Sequence, residues 1–350
     1  MDHAADAGDG KEPALLNVAP GMTVPLSILD LAPIADGETV TSSIAASVAL
    51  AQRAEQHGYE RVWYAEHHNM PRIASSATSV LISHVGAQTS TIRLGAGGVM
   101  LPNHAPLTIA EQFGTLEAMY PGRIDLGLGR APGSDQNTMY ALRRDPRSSE
   151  RFPEDVLELQ AFLAGDSRVP GVQAVPGRGS NVPLFILGSS MFGAHLAAQL
   201  GLPYAFASHF APQALEGAVE AYRREFRPSA QQEQPYVIAG VNVIAADTAE
   251  QAREHHAAVR RTLAIGLFGN GQELSDVEAD VLLRRGAGTH VDSMLTYSAV
   301  GAPGEVGDYL RAFAERVGAD ELITAHQAPT TEARLRSVTL AAEAMERLAA

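Results

Sequence analysis

From residue 24 to the C-terminus, short apolar runs alternate with stretches whose apolar residues recur at helical spacing. Strands are expected at residues 24–31, 61–65, 92–97, 124–128, 184–187, 204–207, 236–244 and 321–325. Between and after them the pattern predicts helices over 42–58, 77–88, 106–119, 153–163, 194–200, 212–226, 249–263, 303–317 and 331–348. The first helix shows the spacing well, with Ile44, Val48, Leu50 and Ala51 on one side. Eight strands alternating with helices over a 350-residue chain suit an α/β fold of the (β/α)8 TIM-barrel type. A doubly wound sheet would carry a glycine fingerprint in its first strand-to-helix turn, and residues 32–41 hold only one glycine.

One segment breaks the rhythm. Residues 266–289 place Gly266, Gly269, Gly271, Gly286 and Gly288 among scattered charges, so an extended connection is expected near strand seven. A lid and a variable surface loop are equally compatible with it. Residues 1–21, rich in Ala, Asp and Gly, read as a disordered tail, and 22–350 as a single barrel domain.

Composition narrows the classes of function. The sequence has no run of about 18 apolar residues, so no membrane span is expected, and its start lacks the basic-then-apolar order of a signal peptide. With no cysteine, disulfides, thiolate metal sites and cysteine nucleophiles are excluded, which fits a cytoplasmic protein. The formal net charge of −14 argues against nucleic-acid or anionic-membrane partners. Lys11 is the only lysine, so the folded part has no lysine for a Schiff base.

Barrel chemistry gathers at the C-terminal ends of the strands. Strand two runs into Glu66-His67-His68-Asn69. Adjacent histidines on a strand point to opposite sides, which makes a metal site weak. One imidazole held by a carboxylate would suit acid–base work, and a satisfied helix-start cluster would explain the residues equally. Strand three ends in Gly95-Ala96-Gly97-Gly98, where a flat ring stacked on bare backbone and a simple packing constraint compete. Strand four ends at Gly127-Leu128-Gly129-Arg130 and strand five at Gly188-Ser189-Ser190, just before a helix. Together they offer a guanidinium, hydroxyls and free helix amides to a phosphate; separately they are a tight turn and a helix cap. His104 and His209 also follow strands and are candidates to line a pocket.

Five segments in order resemble the bacterial luciferase-like flavin-dependent monooxygenases, over about residues 22–348. They are residues 26–33, 65–71 (Ala-Glu-His-His-Asn-Met-Pro), 97–107 (Gly-Gly-Val-Met-Leu-Pro-Asn-His-Ala-Pro-Leu), 121–130 (Pro-Gly-Arg-Ile-Asp-Leu-Gly-Leu-Gly-Arg) and 187–190 (Leu-Gly-Ser-Ser). The wording is nearest to a subgroup whose substrates are mostly unassigned. The resemblance implies that His67 is the catalytic base. It implies that Gly97 and Gly98 back the isoalloxazine ring, often through a non-proline cis peptide, with Met100 beside them in the cofactor site. It further implies that Arg130, Ser189 and Ser190 surround the flavin phosphate.

Two positions depart from the family pattern. Gly129 stands where luciferase has a reactive cysteine, and Gly193 where relatives often place a phosphate-binding hydroxyl. The activity implied is a two-component reaction. A separate reductase supplies FMNH2, dioxygen is activated as a flavin C4a-(hydro)peroxide, and a small organic acceptor is oxygenated, in a homodimer. Three alternatives stay open: a deazaflavin-dependent hydride-transfer enzyme, a non-catalytic flavin-binding protein, and a metal-dependent barrel hydrolase using His67, His68 and His209.

Overall fold

A computed structural model describes residues 24–131, 135–269 and 271–349. The expected tail over 1–21 lies outside them. Eight parallel strands close into a barrel: β1 (Leu26–Asp30), β2 (Arg61–Tyr64), β3 (Arg93–Met100), β4 (Ile124–Gly129), β5 (Leu184–Gly188), β6 (Tyr204–Phe206), β7 (Val237–Ala245) and β9 (Glu321–His326). β6 pairs with β7, β7 with β9, and β9 with β1, which completes the ring. All eight expected strands are present within a few residues of their predicted bounds, and the barrel is the architecture the alternation predicts.

A ninth strand, β8 (Ser298–Gly301), was not expected. It pairs outside the ring with the last four residues of β7, from Asn242↔Ser298 to Ala245↔Gly301. Four residues give too little alternation to be seen in the sequence.

The segment 266–289 forms the long connection expected near strand seven, and its course is mostly helical: α8 (Ala249–Phe268) continues into it, then α9 (Asp276–Leu282), a π turn over Leu283–Ala287 and α10 (Gly288–Met294). Ser275 caps α9 in a capping box with Glu278. Ala264, Ala287, Val291 and Leu295 form a small apolar cluster between these helices and α8. Arg261 pairs with Asp280 at 2.8 Å, and Arg260 with Asp292 at 2.7 Å. The glycines that suggested a loop serve turns, chiefly Gly271 at φ +76° and Gly286 at φ +116°.

The barrel interior is layered. At the N-terminal floor, Arg61 bridges Asp125 (2.8 Å) and Glu321 (2.9 Å). Ser27 and Tyr236 donate to the same Glu321 carboxylate at 2.5 and 2.8 Å. Burial pushes the Glu321 pKa up, against the pull of Arg61, Ser27 and Tyr236. Above this ionic floor lies an apolar layer of Leu29, Trp63, Phe185, Ala205, Ile238 and Ile323. Floor and layer close the barrel from below, so chemistry is confined to the upper mouth.

Candidate active site

The end of β2 is clamped to the end of β3. Glu66, 1% exposed, accepts from the Met100 amide at 2.9 Å, from Nε2 of His104 at 2.9 Å and from Nε2 of His68 at 2.8 Å. Asn103 adds a longer contact of 3.3 Å. Burial raises the Glu66 pKa, but the hydrogen bonds from His104, His68 and the Met100 amide outweigh it and hold the group below its ordinary value. Glu66 is therefore an ionised clasp. The imidazoles that this carboxylate holds are those of His68 and His104.

His67, half-buried, follows the end of β2 and is not held by Glu66. Its amide donates to the Ser75 carbonyl at 3.0 Å, and Ser75 Oγ donates to the Ala65 carbonyl at 2.5 Å, fixing the backbone on both sides. Burial depresses its pKa, His68 depresses it further, and Glu66 opposes them. The imidazole is neutral near pH 7. His67 in turn depresses the pKa of His209, which follows β6. In the ring β2 and β6 lie on opposite sides, so the two histidines follow strands that face each other across the barrel.

His209 was a minor candidate in the sequence and is a central one in the structure. Its carbonyl accepts from Asn242 Nδ2 at 2.6 Å, and Ser208 Oγ donates to the Gly240 carbonyl at 2.5 Å. Burial, then His67, lowers the His209 pKa to about 4. A Cβ on Gly240 would lie 2.5 Å from His209 Nδ1, so the ring occupies space that only glycine leaves. A lone glycine in β7 and a histidine 31 residues earlier give no joint signal in the sequence.

The glycines of β3 and β4 have a packing explanation. A Cβ on Gly97 would stand 2.8 Å from Leu29 Cδ1 and from Trp63 Cβ; one on Gly98 would stand 2.7 Å from the Gly127 carbonyl oxygen. Their missing side chains leave room for the barrel wall itself, where register shifts between Ala96 and Val99. The Gly97–Gly98 peptide is cis. Gly129 lies under Met100, whose Sδ would be 2.9 Å from a Cβ there, so the thioether fills the space that the glycine leaves.

On the other side of the mouth, Arg130 reaches α6 (Met191–Leu200). Its Cζ lies 4.0 Å from the centroid of the Phe192 ring, in the first turn of the helix. No described carboxylate pairs with Arg130. Ser190 is the N-cap of α6 and makes no side-chain capping bond, while its carbonyl accepts from Tyr204 Oη at 3.1 Å. The structure thus brings Arg130, Ser189 and Ser190 to one place. Gly193 also has a local reason: a Cβ there would come within 3.2 Å of the Tyr204 ring.

The chain is similar to known proteins along most of its length. The profile of the luciferase-like monooxygenase family matches residues 24–321. A luciferase-like monooxygenase of Escherichia coli K12 is 46% identical over 93% of this chain and 98% of its own. An N-acetyl-S-alkylcysteine monooxygenase of Bacillus subtilis is 39% identical over 66% of this chain and 70% of its own. The solved structure of apo-MsnO8 superposes with a TM-score of 0.83 at 36% identity, over 92% of this chain and 98% of that one. More distant barrels, alike in fold alone at 15% identity, include a Pseudomonas putida diketocamphane monooxygenase with FMN (TM-score 0.67) and an alcohol dehydrogenase with an F420 adduct (0.69).

Proposed function

The chain belongs to the luciferase-like monooxygenase family, and from that premise we propose that it is an FMNH2-dependent, two-component monooxygenase that oxygenates a small organic acceptor with dioxygen. The observation that carries the reading is Arg130, an arginine without a described carboxylate partner, held at the start of α6 beside Ser189 and Ser190. A guanidinium, hydroxyls and free helix amides are the donor set a flavin phosphate requires. In this proposal those three residues hold the phosphate, while Gly97, Gly98 and Met100 border the ring. Bound reduced FMN would supply the electrons and the oxygen-activating ring.

The chain's own part is to bind, orient and keep water out. The Leu29–Trp63–Phe185 layer seals the site from below. His67 is the proposed acid–base group, neutral and able to take or return a proton at the mouth. A separate reductase, a homodimer and a cytoplasmic setting belong to the same proposal. Sulfur-bearing acceptors such as N-acetyl-S-alkylcysteines, which the Bacillus relative's name carries, are the first to try.

The test is anaerobic titration with reduced FMN and with reduced F420, followed by rapid mixing with oxygen. The expected result is preference for FMN and hydrogen peroxide released more slowly than from free FMN. Preference for F420, or peroxide release at the free rate, overturns the reading.

A further inference from the structure

Two buried ring nitrogens at the mouth have no hydrogen-bond partner: Nδ1 of His67 and Nδ1 of His209. The Nε2 atoms differ. Neither makes a hydrogen bond among the described residues and neither is among the buried unpartnered atoms, so each is the accessible polar end of its ring. For His209 the burial of Nδ1 has a built cause, because that atom abuts the bare backbone of Gly240. The loop is also tied to β7 through Asn242 and Ser208.

That geometry selects a tautomer. A buried N–H with nothing to accept it is the costlier kind of unpaired group, and a lone pair against a Cα is tolerated better. The proton of neutral His209 therefore sits on Nε2, which makes the accessible end a donor. The same reasoning applies to His67, whose base form at Nε2 is reached by moving its proton onto the partnerless Nδ1.

We propose that His209 is a ligand-contacting residue of this site, donating a hydrogen bond from neutral Nε2–H to a negatively charged oxygen of reduced FMN. The assignment rests on the flavin reading above. Reduced FMN is anionic in its ring near neutral pH and oxidised FMN is not. A fixed neutral donor therefore favours the reduced form without placing a cation in the mouth.

The experiment compares binding of photoreduced and oxidised FMN to the wild-type protein and to His209→Leu, His209→Asn and His209→Gln. Glutamine places an amide N–H near the position of Nε2, whereas asparagine reaches only the depth of Nδ1. Leucine and asparagine are expected to weaken reduced FMN by roughly tenfold or more. Oxidised FMN should change by less than about threefold, and glutamine should restore most of the loss. Unchanged binding in the leucine variant, equal loss of both redox forms, or a glutamine variant that behaves like leucine overturns the proposal.

A second readout needs no flavin. Long-range proton–nitrogen correlation of the histidine rings should show His209 protonated at Nε2, and protonation at Nδ1 overturns the donor assignment. If the wild-type protein binds neither form of FMN while the tautomer is as expected, the flavin reading fails and the donor assignment stands for another anionic ligand.

Discussion

The guanidinium of Arg130 lies over the ring of Phe192, 4.0 Å from its centroid, and so joins the end of β4 to the first turn of α6. Such a contact contributes about 0.5–1 kcal/mol at an exposed site, enough to hold a side chain in place but small beside a charge-assisted bond to phosphate. If Arg130 receives the flavin phosphate, Arg130→Met should weaken FMN by about 10–100-fold and leave riboflavin nearly unaffected. Phe192→Ala should weaken FMN by only a few fold, because it removes the support and not the charge. Fluorescence titration with both flavins measures this. Equal losses for FMN and riboflavin would remove Arg130 from the phosphate site.

Glu66 supports the site from behind. Its carboxylate is buried under His68, His104 and the Met100 amide, and Glu66→Ala leaves all three without their acceptor. A buried donor left without its acceptor costs about 1–3 kcal/mol. The loss should be visible in chemical denaturation of the flavin-free protein. Glu66→Gln keeps the shape and part of the bonding, so it should cost less in stability. It should still lower kcat while leaving KM largely in place, because the strand end that carries His67 loosens. A glutamine variant with wild-type kcat would show that the clasp does not position His67.

How much of this was legible beforehand depends on the range of each interaction. The eight ring strands and their helices show in the sequence because apolar periodicity is local. β8 is too short to show, and the helices inside the long 266–289 connection are hidden because glycines at turns look the same whether the residues between them coil or form helices. His67 and Arg130 stood out because strand ends in a barrel all reach the same face. The partners of Glu66 lie 2 to 38 residues away, and the pairing of Gly240 with His209 joins β7 to the loop after β6. Nothing in either local pattern announces the other.

The glycines of β4 provide a check that does not involve flavin. A Cβ on Gly127 would lie 2.3 Å from the Ala96 carbonyl oxygen and 2.6 Å from Leu187 Cδ1. The first contact is with backbone, which cannot rotate away. Gly127→Ala should therefore destabilise the free protein by about 1–3 kcal/mol or more, the range of overpacked cores. The measurement is urea denaturation without cofactor. A variant as stable as wild type, yet unable to bind FMN, would instead mean that these glycines exist for the ring.

Acid stability should report two buried histidines. His326, at the end of β9, contacts Ser337 Oγ through Nδ1 at 2.8 Å; burial, then Arg334, lowers its pKa to about 3. His209 falls to about 4 through burial and His67. In the unfolded chain both titrate near 6.5. Below that pH the unfolded chain takes up protons that the folded protein refuses, so unfolding becomes easier as pH falls. Each histidine contributes a slope of up to about 1.4 kcal/mol per pH unit. The share of His209 is exhausted near pH 4 and that of His326 near pH 3. His326→Asn retains a polar group toward Ser337 and removes one titrating site. Thermal unfolding between pH 7 and pH 5 should then lose stability more gently than in the wild type. An unchanged acid slope in this variant would mean that His326 already carries its proton in the folded state, and the neutral assignment would fail.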